Sequence, residues 1–161
     1  FLPDHLGDVH HEIEIVLRIG RNGRHIQPKF ALSYVDRVAL GVDFTARSLQ
    51  EQLKNKGLPW ELAKGFDGSA ILGEWQETDP AALEQGYGFT LQIGDEVRQS
   101  GHTSEMLFNF AEIIAFVSKY FTLKMGDMIY TGTPAGVGPV QVGDSLSGYL
   151  NGRLNLRCKV C

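Results

Sequence analysis

The stretch Val9-His10-His11-Glu12-Ile13-Glu14-Ile15-Val16-Leu17-Arg18-Ile19 alternates residue by residue, and no other feature constrains the fold as strongly. Val9, His11, Ile13, Ile15, Leu17 and Ile19 share one parity, while His10, Glu12, Glu14, Val16 and Arg18 share the other. A period of two belongs to an extended strand whose side chains leave opposite faces in turn, so the aliphatic row must be covered by a core. The opposite face carries two acids, Glu12 and Glu14. Their side chains leave it about 6.5–7 Å apart along the strand. Carboxylates held this close repel unless a cation lies between them, and without one the pair belongs on a solvated edge strand.

A second alternation, Val38 to Phe44, puts Val38, Leu40, Val42 and Phe44 on one face and Ala39, Gly41 and Asp43 on the other. The small residues clear space around Asp43. Three carboxylates on polar strand faces form a partial shell of hard oxygens for Mg²⁺, Mn²⁺ or Ca²⁺, leaving about three positions of an octahedral ion for water or a chelating substrate. Zinc is disfavoured, because His11 lies on the aliphatic face and His10 has no second spaced histidine, so packing or support of a ligand suits each better.

Between and beyond the strands, Gly20 to Gly23 reads as a turn and Phe30 to Asp36 as a short helical stretch. Thr45 is a plausible N-cap for a helix through Lys56 that ends at Gly57 and aligns Arg47, Gln50 and Lys54 on one face. Leu58-Pro59-Trp60 turns into a second helical piece ending near Lys64. Phe89 to Ile93, Gly94-Asp95 and Val97 read as a hairpin. Apolar residues at helix period predict a helix over Ser104 to Tyr120, packed on a sheet. Short strands follow, punctuated by Gly126-Asp127, Gly143-Asp144 and Asn151-Gly152, and the closing alternation Leu154, Leu156, Cys158, Val160 turns Cys158 inward. The sum is an α+β domain dominated by strands.

At 161 residues the chain can bury a core without staples, and no interdomain linker divides it, so 1–161 reads as one domain. A formal net charge of -4 argues against nucleic acid as a main partner, so an anionic substrate must be met by local cations. No stretch has the apolar length a bilayer requires, since Met106 to Phe121 is broken by Asn109, Glu112 and Lys119. Cys158 and Cys161 form a lone C-x-x-C without a second pair, which reads as two reduced thiols in a cytoplasmic protein. Phe1-Leu2-Pro3-Asp4 lacks the pattern of a signal peptide, and the chain is expected to begin within a longer protein.

The run Thr131-Gly132-Thr133-Pro134-Ala135-Gly136-Val137-Gly138-Pro139 lacks the Lys-Ser/Thr ending of a phosphate loop and the strand-to-helix frame of a dinucleotide fingerprint. It is either a tight connection between strands or a loop that brings backbone N–H groups and the Thr133 hydroxyl to a ligand carboxylate.

Four motifs in register now carry a resemblance. Val9-His10-His11-Glu12-Ile13-Glu14-Ile15, Gly41-Val42-Asp43-Phe44-Thr45-Ala46-Arg47, Gly57-Leu58-Pro59-Trp60 through Ala63-Lys64-Gly65-Phe66-Asp67, and Thr131 to Gly138 follow the order and spacing of the fumarylacetoacetate hydrolase family. The chain resembles most its acylpyruvase and 5-carboxymethyl-2-hydroxymuconate isomerase branch, over nearly its whole length. The resemblance implies a mixed β-roll with a few short helices, assembled as a homodimer. It implies Glu12, Glu14 and Asp43 as ligands of Mg²⁺ or Mn²⁺, and Arg47, Gln50, Lys64 and Thr133 as residues lining the substrate pocket, with Lys64 and Arg47 catalytic.

Members of that branch also carry an upstream Asn-Tyr-x-x-His-x-x-Glu segment whose His and Glu form an acid–base pair on a lid, and this segment is absent from the chain. The chain is therefore expected to be cut or recorded short; if the pair is dispensable, the base is to be sought among His10, His102 and Glu105. The activity implied is hydrolysis of a carbon–carbon bond in acylpyruvate-type 2-oxo acids through an enolate held beside the ion, within aromatic catabolism. Isomerisation, tautomerisation or decarboxylation of 2-oxo (di)acids such as 2-hydroxyhepta-2,4-diene-1,7-dioate or oxaloacetate uses the same intermediate. The rival from another class is a cation-binding domain without turnover, against which stand the pocket cations and the open positions of the metal.

Overall fold

A computed structural model of the chain describes residues 2, 3 and 5–161. Phe1 and Asp4, part of the opening tetrapeptide weighed above, lie outside the described residues. The first alternation forms β1 (Val9–His11) and β2 (Ile13–Ile19). Next come α1 (Pro28–Ala31), a 3-10 turn at Leu32–Tyr34, β3 (Val35–Asp43), β4 (Thr45–Ala46), α2 (Arg47–Asn55) and a 3-10 turn at Glu61–Ala63. The middle of the chain supplies β5 (Ala70–Leu72), β6 (Gln76–Glu77), α3 (Pro80–Gln85), β7 (Gly88–Ile93), β8 (Glu96–His102), a 3-10 turn at Thr103–Glu105 and α4 (Phe110–Tyr120). It closes with β9 (Met128–Tyr130), β10 (Gly138–Pro139), β11 (Ser145–Leu150) and β12 (Arg153–Lys159).

The strands form three sheets, ordered β5-β3-β2-β9 with β6 beside β3, β10-β1-β4, and β12-β11-β7-β8. Ile13, Ile15, Leu17 and Ile19 of β2 are buried with Leu40 and Val42 of β3, Leu91 of β7, and Leu146 and Leu150 of β11, so the sheets wrap one core. This is the expected α+β roll with short helices. Among the described residues no helix is long and apolar enough to cross a membrane.

The feature that places the site is a shared corner. The alternation runs unbroken through Glu12, but the hydrogen-bonding partners change there: β1 pairs with β4 and β10, whereas β2 pairs with β3 and β9. The chain makes the same switch between β3 and β4 at Phe44, and again across residues 131–137 between β9 and β10. Three segments thus leave one sheet for another at one level, where the Asp43 N–H donates to the Glu12 carbonyl at 2.9 Å.

Some local expectations fail for identifiable reasons. Thr45 lies in β4 instead of capping a helix, and α2 begins after Ala46 without a side-chain cap; it ends at Gly57, whose φ of 65° lets the chain reverse. Of the stretch Ser104 to Tyr120, only Phe110–Tyr120 is α-helix. Asn109 accepts from the Glu112 N–H at 3.0 Å while the Glu112 carboxylate accepts from the Asn109 N–H at 2.8 Å, a capping box that starts the helix afresh. Leu107, periodic in sequence, is left 95% exposed, and α4 has α1 and the following 3-10 turn as its main neighbours in place of a sheet. The helical stretch placed at Phe30 to Asp36 runs instead from Pro28 to Tyr34, since Val35 and Asp36 already belong to β3. The hairpin forms as β7 and β8, and Cys158 packs against the core, where burial raises its thiol pKa.

Candidate metal centre

Glu12 sits at the break between β1 and β2, Glu14 on β2 and Asp43 at the end of β3. One carboxylate oxygen from each lies within 4.8 Å of the others. Glu14 is buried and stands opposite Gly41 in the β2–β3 register. A Cβ at Gly41 would fall 2.6 Å from Tyr130 Cε1 and 2.6 Å from Val16 Cγ2, so the missing side chain gives Tyr130 its place beside Glu14.

Two cations close on these acids. Lys64, just past the 3-10 turn Glu61–Ala63, places Nζ 2.7 Å from Glu12 Oε2, 2.7 Å from Asp43 Oδ2 and 2.6 Å from Thr45 Oγ1, using all three ammonium protons. Arg47, opening α2, donates to Glu12 Oε1 through one terminal nitrogen and to Gln50 Oε1 at 2.8 Å through the other. Glu12, Glu14, Asp43, Arg47, Gln50 and Lys64 are thereby gathered at one corner, where Lys64 and Arg47 bind carboxylates directly. Thr45, Tyr130 and Gln99 were not anticipated: Thr45 was read as a cap, Tyr130 stands in a short strand without alternation, and β8 shows no period that marks Gln99 as buried.

With all three acids ionised, the charges do not balance. Three carboxylates face two cations. Burial works against the charge on Glu12, yet hydrogen bonds from Lys64 and Arg47 outweigh it and hold this carboxyl below its usual range. Among the described residues Glu14 has no such partner. Burial pushes it up to about 7, helped by the charges of Asp43 and Glu12 and opposed by the Gly132 N–H. Asp43 is also raised, because burial outweighs its bond to Lys64. Lys64 is raised in turn, its bonds to Asp43 and Glu12 prevailing over burial. Burial, with the charges of Glu14 and Asp43, pushes Tyr130 up to about 12, so its hydroxyl keeps its proton and donates to the Ile71 carbonyl at 3.0 Å. An all-oxygen donor set carrying one surplus negative charge fits a hard dication, which would leave the corner net positive toward an anionic ligand.

The glycine-rich segment lies against the same acids. The Gly132 N–H donates to Glu14 Oε2 at 2.7 Å, an approach made from a φ of 101°. The Thr131 hydroxyl donates to the Ile15 carbonyl and the Thr133 hydroxyl to the Ile13 carbonyl, each at 2.8 Å. An open cleft of about 380 Å³ runs from Thr131, Gly132, Thr133 and Pro134 to His102 and Met106. His102 and Glu105 are engaged in capping the 3-10 turn between them. Burial lowers the pKa of both His10 and His11, and His10 Nδ1 is buried without a partner among the described residues.

Roll and corner together define the class: a metal-dependent enzyme whose acids are gathered where sheets part. Residues 1–161 match the family described as fumarylacetoacetate (FAA) hydrolase C-terminal. The chain belongs to the fumarylacetoacetate hydrolase family. It is 41% identical over 163 residues to the mitochondrial oxaloacetate tautomerase FAHD1 of Mus musculus, covering 99% of this chain and 72% of that protein. Among solved structures, fumarylpyruvate hydrolase from Pseudomonas aeruginosa in complex with Mn²⁺ and pyruvate superposes with a TM-score of 0.93 at 34% identity, over 99% of this chain and 68% of that one. The 5-carboxymethyl-2-hydroxymuconate delta-isomerase of Mycobacterium smegmatis superposes with a TM-score of 0.87 at 32% identity, over 99% of this chain and 61% of that one.

Proposed function

We propose that the chain hydrolyses acylpyruvate-type 2-oxo acids to pyruvate and a carboxylic acid, with Glu12, Glu14 and Asp43 as the protein ligands of Mg²⁺ or Mn²⁺. The observation that carries this reading is the three-carboxylate corner with Lys64 and Arg47 in direct contact. When bound, the ion supplies Lewis-acid polarisation of the 2-oxo group and a counter-charge for the electron density that gathers there. The chain's own groups supply charge and position. Lys64 holds a fixed positive charge between Glu12 and Asp43, where negative charge grows as the carbon–carbon bond breaks. Arg47, braced by Gln50, orients Glu12 and adds the second charge. The Gly132 N–H holds Glu14, and the loop through Thr133 receives the substrate carboxylate. Its hydroxyl proton is committed to the Ile13 carbonyl, the Thr131 and Gly132 N–H groups donate to Ile15 and Glu14, and Pro134 has none, so the Thr133 N–H is what this stretch offers that carboxylate. Water adds to the distal acyl carbon, the bond to the pyruvyl methylene breaks, and a proton returns to that methylene.

A second reading, tautomerisation of oxaloacetate, is favoured by the 41% identity to the mouse protein. Both reactions gather charge on the same oxygen, so one assay pair separates them: pyruvate release from acetylpyruvate and ketonisation of enol-oxaloacetate, each with Mn²⁺ and with EDTA. Mn²⁺-dependent pyruvate release supports the first reading, and ketonisation alone supports the second. If neither depends on Mn²⁺, both fall.

The apolar face around α4, where Leu107, Phe108, Phe116, Tyr120 and Phe121 are exposed, supports a homodimer, which sedimentation would detect. The free thiols Cys158 and Cys161 suit a reducing compartment such as the cytoplasm, and 2-oxo acids of this kind suit a place in aromatic catabolism.

A further inference from the structure

Gln99 of β8 is 1% exposed, and its amide ends in the corner between the other two sheets. Its Oε1 lies 3.1 Å from the Ile13 nitrogen and 2.9 Å from His11 Nδ1; its Nε2 lies 2.8 Å from Thr133 Oγ1 and 3.0 Å from the Pro134 carbonyl. A backbone N–H can only donate and a carbonyl can only accept, so Ile13 and Pro134 fix which end of the amide is oxygen. The remaining partners follow. His11 carries its proton on Nδ1, and Thr133 accepts from Gln99 and passes its own proton to the Ile13 carbonyl at 2.8 Å. Two acceptor sites and two N–H donors are all used.

The partners occupy both sides of the acidic corner. His11 and Ile13 flank Glu12, the residue at the sheet switch, whereas Thr133 and Pro134 follow Gly132, whose N–H holds Glu14. The loop lies hard against β8 around this amide. A Cβ at Gly136 would fall 2.3 Å from the Arg98 carbonyl, and one at Gly101 would fall 2.9 Å from Pro134 Cβ.

We propose that Gln99 is a positioning residue that sets the register between the Glu12 strand break and the Thr131–Pro134 loop, and so the span between the metal ligands and the groups that meet the substrate carboxylate. The second half of this statement rests on the proposed function; the first does not. Gln99 touches neither the acids nor the cleft, so it acts through Thr133, His11 and the backbone.

The test compares wild type with Gln99→Glu and Gln99→Met by Mn²⁺ affinity, oxalate affinity at saturating Mn²⁺, thermal unfolding, and amide hydrogen exchange over residues 131–135. An introduced carboxyl keeps the bonds to Ile13 and His11 but offers the loop at most one proton where the amide offers two. Gln99→Glu should keep Mn²⁺ affinity within about threefold, quicken exchange in the loop and weaken oxalate about tenfold, since small misplacements around a reacting centre are costly. Gln99→Met, of similar length and without polar atoms, should weaken oxalate further, and it carries the test alone if Gln99→Glu does not fold. Wild-type exchange and oxalate affinity in the folded variants would overturn the proposal. So would a uniform loss of metal and oxalate affinity that tracks melting temperature in both, which marks a purely structural residue. If wild type itself binds no oxalate with Mn²⁺, the functional reading fails, while the exchange comparison still decides the role of Gln99.

Discussion

The two ends of the β2–β3 ladder treat charge in opposite ways. At one end Arg18 and Asp36 form a two-pronged pair, 2.9 Å and 2.6 Å, with each side chain about a third exposed (30% and 39%). At the other, a few residues along the same two strands, three acids, Glu12, Glu14 and Asp43, face two cations, Lys64 and Arg47, and Glu14 is buried. Each end is cleared by a glycine: a Cβ at Gly20 would strike Asp36, and one at Gly41 would strike Tyr130. The exposed end needs nothing beyond itself, because an Arg–carboxylate fork is complete and wet. The buried end holds its charge at a cost, and Glu14, pushed up to about 7, escapes that cost by taking up a proton. A buried acid with a raised pKa among partnered neighbours suits a binding site, whereas the exposed fork suits a structural pair.

The comparison breaks most sharply on Asp43→Asn. It removes a proposed ligand while preserving shape, and the loss of Mn²⁺ affinity should exceed the 10–100-fold typical of changing a partner that merely supports a ligand. Calorimetry measures it directly. Thermal unfolding offers a second route, because Mn²⁺ at a hundredfold over its Kd should stabilise the parent by about 2.7 kcal/mol and the variant hardly at all. Lys64→Ala comes next: in the proposed reaction its charge stands beside the developing negative charge, so turnover should fall on the order of 10²–10³, while Mn²⁺ affinity holds or rises, the ion losing a competitor for Glu12 and Asp43. A turnover within a few-fold of the parent would show that Lys64 serves the carboxylates alone.

Much of this contrast was readable from the chain. The period of two in Val9 to Ile19 and in Val38 to Phe44 marked the strands, and the acids stood on their polar parity. What could not be read was the corner. A sheet switch at Glu12 changes hydrogen-bonding partners without disturbing the alternation, so nothing in the residue order announces it. Thr45 suits a helix cap as well as a strand, and only the arrival of Lys64 from 19 positions away decides its role. The helix placed from Ser104 overran its true start because Met106 and Leu107 keep helical spacing, whereas the Asn109–Glu112 capping box resets the chain. Gln99 carries no local signal at all; its burial follows from partners 34 to 88 residues distant.

Gly41→Ala sharpens the comparison without touching a charge. The added methyl would meet Tyr130 Cε1 and Val16 Cγ2, each at 2.6 Å, and the Ile71 carbonyl at 3.0 Å. Overpacking of this kind typically costs about 1–3 kcal/mol. It should also lower Mn²⁺ affinity, because the displaced Tyr130 ring and the shifted strand both bear on Glu14, the register partner of Gly41. A stable variant with parental affinity would mean that the strands yield there and that the cleared space has no bearing on Glu14.

The smallest effect belongs to the exposed end. Arg18 holds Asp36 below the usual carboxylate range, chiefly through its hydrogen bonds, against an opposing push from burial. A carboxyl with a depressed folded pKa contributes stability that is fully present above its ordinary value of 3.8 and is lost as pH falls through the folded value. Asp36→Asn should therefore lower the melting temperature near pH 7, and by less than about 3 °C, since a solvent-screened pair in a chain of this size contributes little. The gap between parent and variant should narrow as salt rises and close as pH falls below the folded pKa, because the parent then also carries a neutral group. Mn²⁺ affinity and turnover should not move, Asp36 lying at the far end of the ladder from the corner. A large, salt-insensitive loss would mean that the Arg18–Asp36 fork holds the β2–β3 register as firmly as the core beneath it, and the contrast between a dispensable pair and a committed site would have to be redrawn.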